Sequence, residues 1–178
     1  MKNKFSLLSK EEISSTNREF FDKMEKSFGK VPNLYNIIAY SENALGAYMK
    51  LEETPNSLTI KEVGAINLVV SQVNSCVYCL SAHTIVAKSI GINDEEAIEI
   101  RKGGYHANEK LDALVKITNQ ITEKRGHVDV GTLDAFFKAG YTKGNLVDII
   151  VIIGDRTISN LLHAVTQVPV DFPLAKNI

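Results

Sequence analysis

The chain has no tryptophan, four prolines and two cysteines among 178 residues, and it lacks an excess of charge of either sign. Its 20 basic and 21 acidic residues give a formal net charge of -1, which argues against the basic surface of a nucleic-acid-binding protein. The longest apolar run, Leu146 to Gly154, is interrupted by Asp148 and falls well short of the roughly 20 residues that a membrane span needs. Two cysteines also exclude a disulfide-rich secreted scaffold. We therefore expect small-molecule or protein partners, with no nucleic acid and no membrane.

The overall composition of the chain is typical of one globular domain in the cytoplasm. Hydrophobic residues make up 44% of the chain and charged residues 23%, as in ordinary soluble proteins. The apolar stretch near the N-terminus is too short for a signal peptide, so we predict a cytoplasmic protein. We predict one domain over residues 1–178, with a motif-bearing core at about 32–125 and a C-terminal helix and extended arm at 143–178.

Apolar residues recur at helical spacing nearly everywhere, which predicts an all-α protein. Thr59-Ile-Lys-Glu62 has the pattern of a capping box, and Gly91 and Gly140 follow periodic stretches as helix-ending residues do. Pro169 and Pro173 cannot continue a helix, so the C-terminal segment is expected to be extended. The result is a compact bundle of about eight helices, near residues 10–27, 33–53, 59–73, 76–90, 94–102, 108–124, 129–139 and 143–166.

The most informative motif is Cys76-Val-Tyr-Cys79, followed by His83. On a helix these three side chains can follow one face from turn to turn. Asn74 and Ser75 supply capping residues just before them, which places Cys76 at a helix N-terminus, where free N–H groups and the helix dipole favour a thiolate. A lowered thiol pKa is what reactivity requires. In a cytoplasmic protein the pattern therefore indicates a redox-active dithiol, with His83 as its proton-transfer partner.

Two other interpretations of the cysteines stay open. Buried thiols can pack as small hydrophobic groups without any chemistry. A zinc site is the second alternative, but Cys76, Cys79 and His83 supply only three ligands from one helix. We expect no bound metal and no cofactor.

The segment Asn74-Ser-Cys-Val-Tyr-Cys-Leu-Ser-Ala-His83 resembles the signature of a known family, the carboxymuconolactone decarboxylase family, in its alkylhydroperoxidase D-like, peroxidase-related subgroup. The likeness covers almost the whole chain. It includes Val31-Pro-Asn-Leu34, Arg125-Gly-His-Val128, Ala139-Gly-Tyr-Thr142, Asn160-Leu-Leu-His163 and Asp171-Phe-Pro173. The resemblance implies an all-α bundle that assembles as a homo-oligomer, a trimer or a hexamer.

The same resemblance implies roles for the motif residues. Cys79 would attack a hydroperoxide, Cys76 would resolve the sulfenic acid and meet a thiol reductant or carrier protein, and His83 would complete a proton relay. Members of the family usually place a relay glutamate where this chain has Gly64. Glu62 lies two residues away and is a further candidate, although the capping box already gives it a role. Tyr78, between the cysteines, is another candidate, since its hydroxyl can hydrogen-bond to a sulfur or to substrate.

Together these observations predict an oxidoreductase, an antioxidant peroxidase that reduces hydroperoxides through a dithiol–disulfide cycle. The missing acid at Gly64 keeps a second hypothesis open, a redox sensor or disulfide carrier without peroxidase activity. Lactone decarboxylation, suggested by the wider family name, is disfavoured because decarboxylase members generally lack the two-cysteine motif.

Overall fold

The computed structural model describes residues 5–178, apart from the side chain of residue 28. The predicted domain begins at residue 1, and residues 1–4 lie outside the described residues. Within the described range the chain forms helices and no strands, so the all-α prediction is confirmed. The helices are α1 (Ser15–Phe28), α2 (Asn33–Ile38), α3 (Ala44–Glu52), α4 (Ile60–Val73), α5 (Val77–Ser89), α6 (Asp94–Arg101), α7 (Glu109–Glu123), α8 (Val130–Lys138) and α9 (Lys143–Thr166).

Capping residues set most helix boundaries where the sequence predicts them. Thr59 accepts a hydrogen bond from the Glu62 amide at 3.3 Å, and the Glu62 carboxylate accepts one from the Thr59 amide at 2.7 Å. Asn93 and Glu96 form the same reciprocal pair at the start of α6. The N-terminal helix starts later than predicted, because Ser14 caps it by accepting from the Asn17 amide.

The predicted helix over 33–53 is wrong in one respect, since the structure divides it into α2 and α3. A continuous helix would use the Ala39 carbonyl to accept from the amide four residues later. Here the buried side chain of Asn17 donates to that carbonyl instead, at 3.3 Å. Ser41 then accepts a hydrogen bond from the Ala44 amide at 3.3 Å and helps to start α3. A tertiary contact from α1 and a local polar cap together produce the break.

The main core surrounds α4, which packs against α5, α6, α7 and α9. Its side chains at Ala65, Ile66, Leu68 and Val70 are fully buried, and a helix surrounded on so many sides needs apolar residues around most of its circumference. Helix α9 is long and apolar enough to cross a membrane by length and composition alone. It lies in this bundle, however, and Ile149 on its inner face is fully buried. That placement is typical of the core helix of a globular protein.

The residues after α9 form an extended arm that lies over the start of α5. Val168 is buried, and Val170 and Phe172 are half-buried, whereas Leu174 stays exposed. The arm is also held near its end, where Arg101 donates to the Lys176 carbonyl at 2.8 Å. A separate hydrophobic cluster results, which contains both cysteines together with Leu34, Ile37, Tyr78 and Val168.

Candidate functional site

Cys76 lies at the N-cap of α5, as the sequence predicts. Ser75 adopts a left-handed conformation (φ 53°) that ends α4 and turns the chain into α5. The Cys76 backbone is extended, and its sulfur accepts a hydrogen bond from the Cys79 amide at 3.3 Å. This is the N-cap arrangement with sulfur in place of oxygen. Both cysteines are free thiols and both are only 3% exposed.

Helix α9 supplies the polar groups that contact the two sulfurs. Cys79 lies 4.0 Å from the Ser159 hydroxyl oxygen and near the side chain of Asn160. The His163 imidazole, one turn further along α9, lies beside the Cys76 sulfur and favours its charged form. All three α9 residues are at least 94% buried, with exposures of 4%, 2% and 6%. The histidine in contact with the dithiol is therefore His163, which motif spacing around the cysteines does not reveal.

The two thiols titrate in opposite directions. Hydrogen bonding from the Cys79 thiol, and then from His163, lowers the pKa of Cys76 well below its ordinary value, although burial opposes the shift. The hydrogen bond from Cys79 to Cys76, together with burial and the nearby Cys76 charge, raises the pKa of Cys79. One proton is thus shared between the sulfurs, and the resting negative charge belongs to Cys76.

Cys79 lines a small cavity, whereas Cys76 does not. The cavity has a volume of about 60 Å³, enough for a small polar molecule. Its walls are mostly aromatic and aliphatic, with charged groups at Glu52 and Arg156. The lining residues are Pro32, Leu34, Tyr35, Ile38, Tyr48, Glu52, Tyr78, Cys79, Ala82, His83, Arg156, Ser159 and Phe172. We call this space the Cys79 cavity.

His83 lines the Cys79 cavity, but the structure does not place it against both sulfurs. The expected strip of three side chains is broken because Cys76 precedes the first turn of α5 and faces His163. Burial, and then the charge of Arg156, lowers the pKa of His83 to about 3. The imidazole is therefore neutral near pH 7. It can donate or accept a hydrogen bond in the cavity, but it holds no extra proton to release.

A buried charge cluster forms one wall of the Cys79 cavity. Arg156 contacts the Glu52 carboxylate at 2.7 Å and also forms an ion pair with Asp155. Tyr35 donates a hydrogen bond to the other Glu52 oxygen at 2.7 Å. The Arg156 and Glu52 side chains are 12% and 15% exposed. Buried charges persist only when they are paired in this way, so the cluster fixes the shape and charge of that wall.

Tyr78 connects the dithiol to the C-terminal arm. Its hydroxyl donates to the Asp171 carboxylate at 2.7 Å and accepts from the Leu34 amide at 3.1 Å. Its ring packs edge-on against Phe172 and lies 5.3 Å from the His163 ring. Asp171 also pairs with Lys30 at 2.8 Å. Tyr78 thus lines the cavity, while its hydroxyl is committed to holding the arm in place.

Glu62 and Gly64 lie outside this site. One Glu62 oxygen completes the capping box with Thr59 and the other accepts from the Tyr141 hydroxyl at 2.6 Å, so its carboxylate serves α4 and not the cysteines. A side chain at Gly64 would begin 2.5 Å from the Ile90 Cδ1 and 3.4 Å from the Ile92 Cδ1. The position expected to hold the family's acid is therefore filled by core packing, and an acid restored there would enter that core.

Comparison with known proteins identifies the segment that carries this site. Residues 42–107 match the model of the carboxymuconolactone decarboxylase family. The match contains the dithiol and His83, and it confirms the family expected from the sequence. No curated protein sequence matches the chain.

Solved structures share the same fold across nearly the whole chain. A peroxidase-related protein from Ralstonia eutropha JMP134, described as an alkylhydroperoxidase AhpD core, superposes with a TM-score of 0.84 at 17% identity and covers 94% of this chain and 91% of its own. One from Silicibacter sp. TM1040 gives 0.79 at 16% identity, with 93% and 89% covered. The debrominase Bmp8, solved with 2,3,4-tribromopyrrole, also gives 0.79 at 16% identity, with 96% and 93% covered. At these identities the likeness shows the alkylhydroperoxidase D-like fold.

Proposed function

We propose that this chain is a dithiol oxidoreductase that reduces a hydroperoxide at Cys79 and resolves the product with Cys76. The observation that carries the proposal is the difference between the surroundings of the two thiols. Cys76 is stabilised as a thiolate at the N-cap beside His163, and Cys79 shares its proton and lines the cavity. The family match and the peroxidase-related proteins of the same fold support a peroxidase-related role.

The reaction balances with the groups present in the chain. Cys79 passes its proton to Cys76 and attacks the outer oxygen of the hydroperoxide, so that a sulfur–oxygen bond forms and the oxygen–oxygen bond breaks. The leaving alkoxide takes the proton from Cys76 and departs as an alcohol. The Cys76 thiolate then attacks the Cys79 sulfur, so that a sulfur–sulfur bond forms as the sulfur–oxygen bond breaks, and the departing hydroxide takes a proton from solvent and becomes water. The sum is two thiols and a hydroperoxide giving a disulfide, an alcohol and water.

The Cys79 cavity favours a small hydroperoxide, because its volume of about 60 Å³ leaves little room beside the sulfur. A neutral His83 can donate an N–H hydrogen bond to the leaving oxygen as negative charge develops there. Arg156 lies in the same wall, where Glu52 and Asp155 balance its charge. An external thiol, on a small molecule or a carrier protein, must then reduce the disulfide.

Rapid mixing of the reduced protein with hydrogen peroxide and, separately, with cumene hydroperoxide tests the proposal. We expect loss of both thiols, a Cys76–Cys79 disulfide by mass spectrometry, and a faster reaction with the smaller oxidant. Oxidation no faster than that of free cysteine would contradict a peroxidase. The bromopyrrole of the debrominase complex serves as a second electrophile in the same assay, and bromide release without peroxide turnover would indicate a different reductive activity for the dithiol.

The burial of both thiols favours a second candidate, a redox sensor or disulfide carrier. Each cysteine is 3% exposed, which limits the access of large reductants. This candidate predicts slow peroxide turnover but disulfide exchange that depends on a change in the arm. Thiol counting after mixing with an oxidised carrier protein distinguishes it from the peroxidase, because a carrier oxidises this dithiol without any peroxide.

We also propose a homo-oligomer in the cytoplasm. The outer face of α9 leaves Ile150, Ile158, Leu161 and Val165 between 48% and 73% exposed. Exposed apolar patches of this kind mark association surfaces, and a second copy of the chain fits the trimer or hexamer implied by the resemblance. Sedimentation at several concentrations measures the assembly, and a monomer at all of them would contradict it.

A further inference from the structure

Asn160 is a buried residue whose amide oxygen has a hydrogen-bond partner and whose amide nitrogen has none among the described residues. The side chain is 2% exposed. Its Oδ1 accepts a hydrogen bond from the Asn74 Nδ2 at 2.9 Å. Within the described residues its own Nδ2 is buried without a hydrogen-bond partner. Leaving such a donor unpaired is costly, and so a buried amide nitrogen of this kind calls for an explanation.

The neighbours of Asn160 indicate where the uncommitted nitrogen acts. Asn74 lies two residues before Cys76 and takes the oxygen end of the amide, which leaves the nitrogen end for the dithiol. The Asn160 amide favours the charged form of Cys79, as a donor facing that sulfur does. In the reduced protein this contact is too loose for a full hydrogen bond. An oxygen bound to that sulfur would supply the acceptor that the amide nitrogen lacks.

Three other donors beside Cys79 are already occupied. The Ser159 hydroxyl donates to the Arg156 carbonyl at 2.9 Å. Arg156 directs its hydrogen bonds to Glu52 and Asp155. The Cys79 amide donates to the Cys76 sulfur. His83 can donate from the cavity side, and on α9 Asn160 is the neighbour whose donor remains uncommitted among the described residues.

We propose that Asn160 is a catalytic residue that donates its Nδ2–H hydrogen bond to the oxygen acquired by Cys79, and that Asn74 is its positioning residue. The inference rests on the proposed function. As the sulfur–oxygen bond forms and the oxygen–oxygen bond breaks, negative charge spreads over the reacting atoms, and the amide stabilises it. In the resolving step the Cys76 thiolate attacks sulfur, the sulfur–oxygen bond breaks, and the same amide donates to the departing hydroxide. That hydroxide takes a proton from solvent and becomes water.

The test uses the full-length chain with Cys76→Ser, in which the sulfenic acid of Cys79 cannot be resolved. Its formation with hydrogen peroxide is followed by trapping and mass spectrometry. Adding Asn160→Leu should slow it by about tenfold to hundredfold, as expected when one oxyanion donor is removed. Asn67→Leu is the matched control, since it also deletes an amide with an unpaired buried atom, and it should leave the rate unchanged.

Asn74→Asp tests the positioning role without altering Asn160. A carboxylate at position 74 accepts from the Asn160 Nδ2 and turns the donor away from Cys79, so we expect a similar loss of rate with the fold retained. This variant decides the question if Asn160→Leu does not fold. An unchanged rate in a folded Asn160→Leu protein, or in Asn74→Asp, would overturn the inference.

The pH dependence of Cys79 alkylation in the Cys76→Ser background separates this inference from the proposed function. Alkylation needs the thiolate but no peroxide. Removal of the Asn160 donor should move the titration of Cys79 upward, and a purely structural role would leave it in place. If the parent variant forms no sulfenic acid faster than free cysteine, the peroxidase fails, while the alkylation titration still supports or overturns the donor role of Asn160.

Discussion

The surroundings of Cys76 and Cys79 differ more than their separation of three residues suggests. Cys76 faces His163 and the helix N-terminus beneath the C-terminal arm, in a setting that favours a thiolate. Cys79 faces a cavity with a neutral His83 and a paired Arg156, in a setting that favours a protonated thiol. The comparison shows how two cysteines of one short motif acquire different surroundings and different thiol pKa values. An N-cap holds one thiol outside the helix, while the other occupies the first turn and faces a different neighbour.

Replacing each cysteine in turn gives the largest expected effect. Cys79→Ser should lower the rate of peroxide oxidation on the order of a thousandfold or more, as for the loss of an essential nucleophile, since Cys76 does not line the cavity. Cys76→Ser should still allow a first oxidation, with a sulfenic acid accumulating on Cys79. Rapid-mixing kinetics with mass spectrometry measure both. Faster oxidation of the protein that retains only Cys76 would reverse the assignment of the two roles.

Removing Arg156 tests how far the cavity wall depends on its charges. Arg156→Leu leaves the Glu52 and Asp155 carboxylates buried without their cation, and we expect a loss of about 3–5 kcal/mol in the free energy of unfolding. Urea denaturation measures it. The exposed pair Lys124–Asp129 offers a matched control, because Lys124→Leu should cost at most about 1 kcal/mol. Equal losses in the two variants would show that the cluster does not stabilise the wall.

His163→Phe should make the two thiols more alike. It removes the His163 imidazole, which favours the thiolate form of Cys76, so we expect the pKa of that thiol to rise. Thiolate absorbance against pH measures the shift. In the wild type a pKa lowered on folding contributes stability above the unfolded value of 9.0, and this contribution is lost as the pH falls. The variant should lose less stability over the same range, and an unchanged titration would exclude His163 as the partner of Cys76.

Tyr78→Phe tests the link between the dithiol and the arm. The change removes only the hydroxyl, which bonds to Asp171 and Leu34. We expect a loss of about 1–3 kcal/mol and faster alkylation of Cys76, because the arm covers it less firmly. The exposed Tyr40→Phe is a suitable control for the loss of a hydroxyl. Unchanged alkylation in Tyr78→Phe would mean that the arm is held by its apolar contacts alone.

Local sequence patterns predicted the helices and the N-cap position of Cys76 well, because capping and apolar periodicity act over only a few residues. The division of residues 33–53 was not predictable in this way, since it depends on Asn17 donating to Ala39 across 22 positions. The same limit applies to the site. His163 and Asn160 come to the dithiol from α9, more than 80 residues away, and no spacing rule connects them. The one local signal is that two polar residues lie three positions apart on one face of a long, largely apolar helix, which indicates a buried polar site.

The burial of both sulfurs beneath Val168 and Phe172 has a consequence for the reagents that can reach them. A charged molecule must shed its hydration to cross an apolar covering, and that transfer is costly. Neutral alkylating agents should therefore label the folded protein more readily than anionic ones of similar size, and uncharged oxidants should outcompete ionic oxidants. The C-terminal arm would then select the reagents that react with the dithiol by their charge as well as by their size.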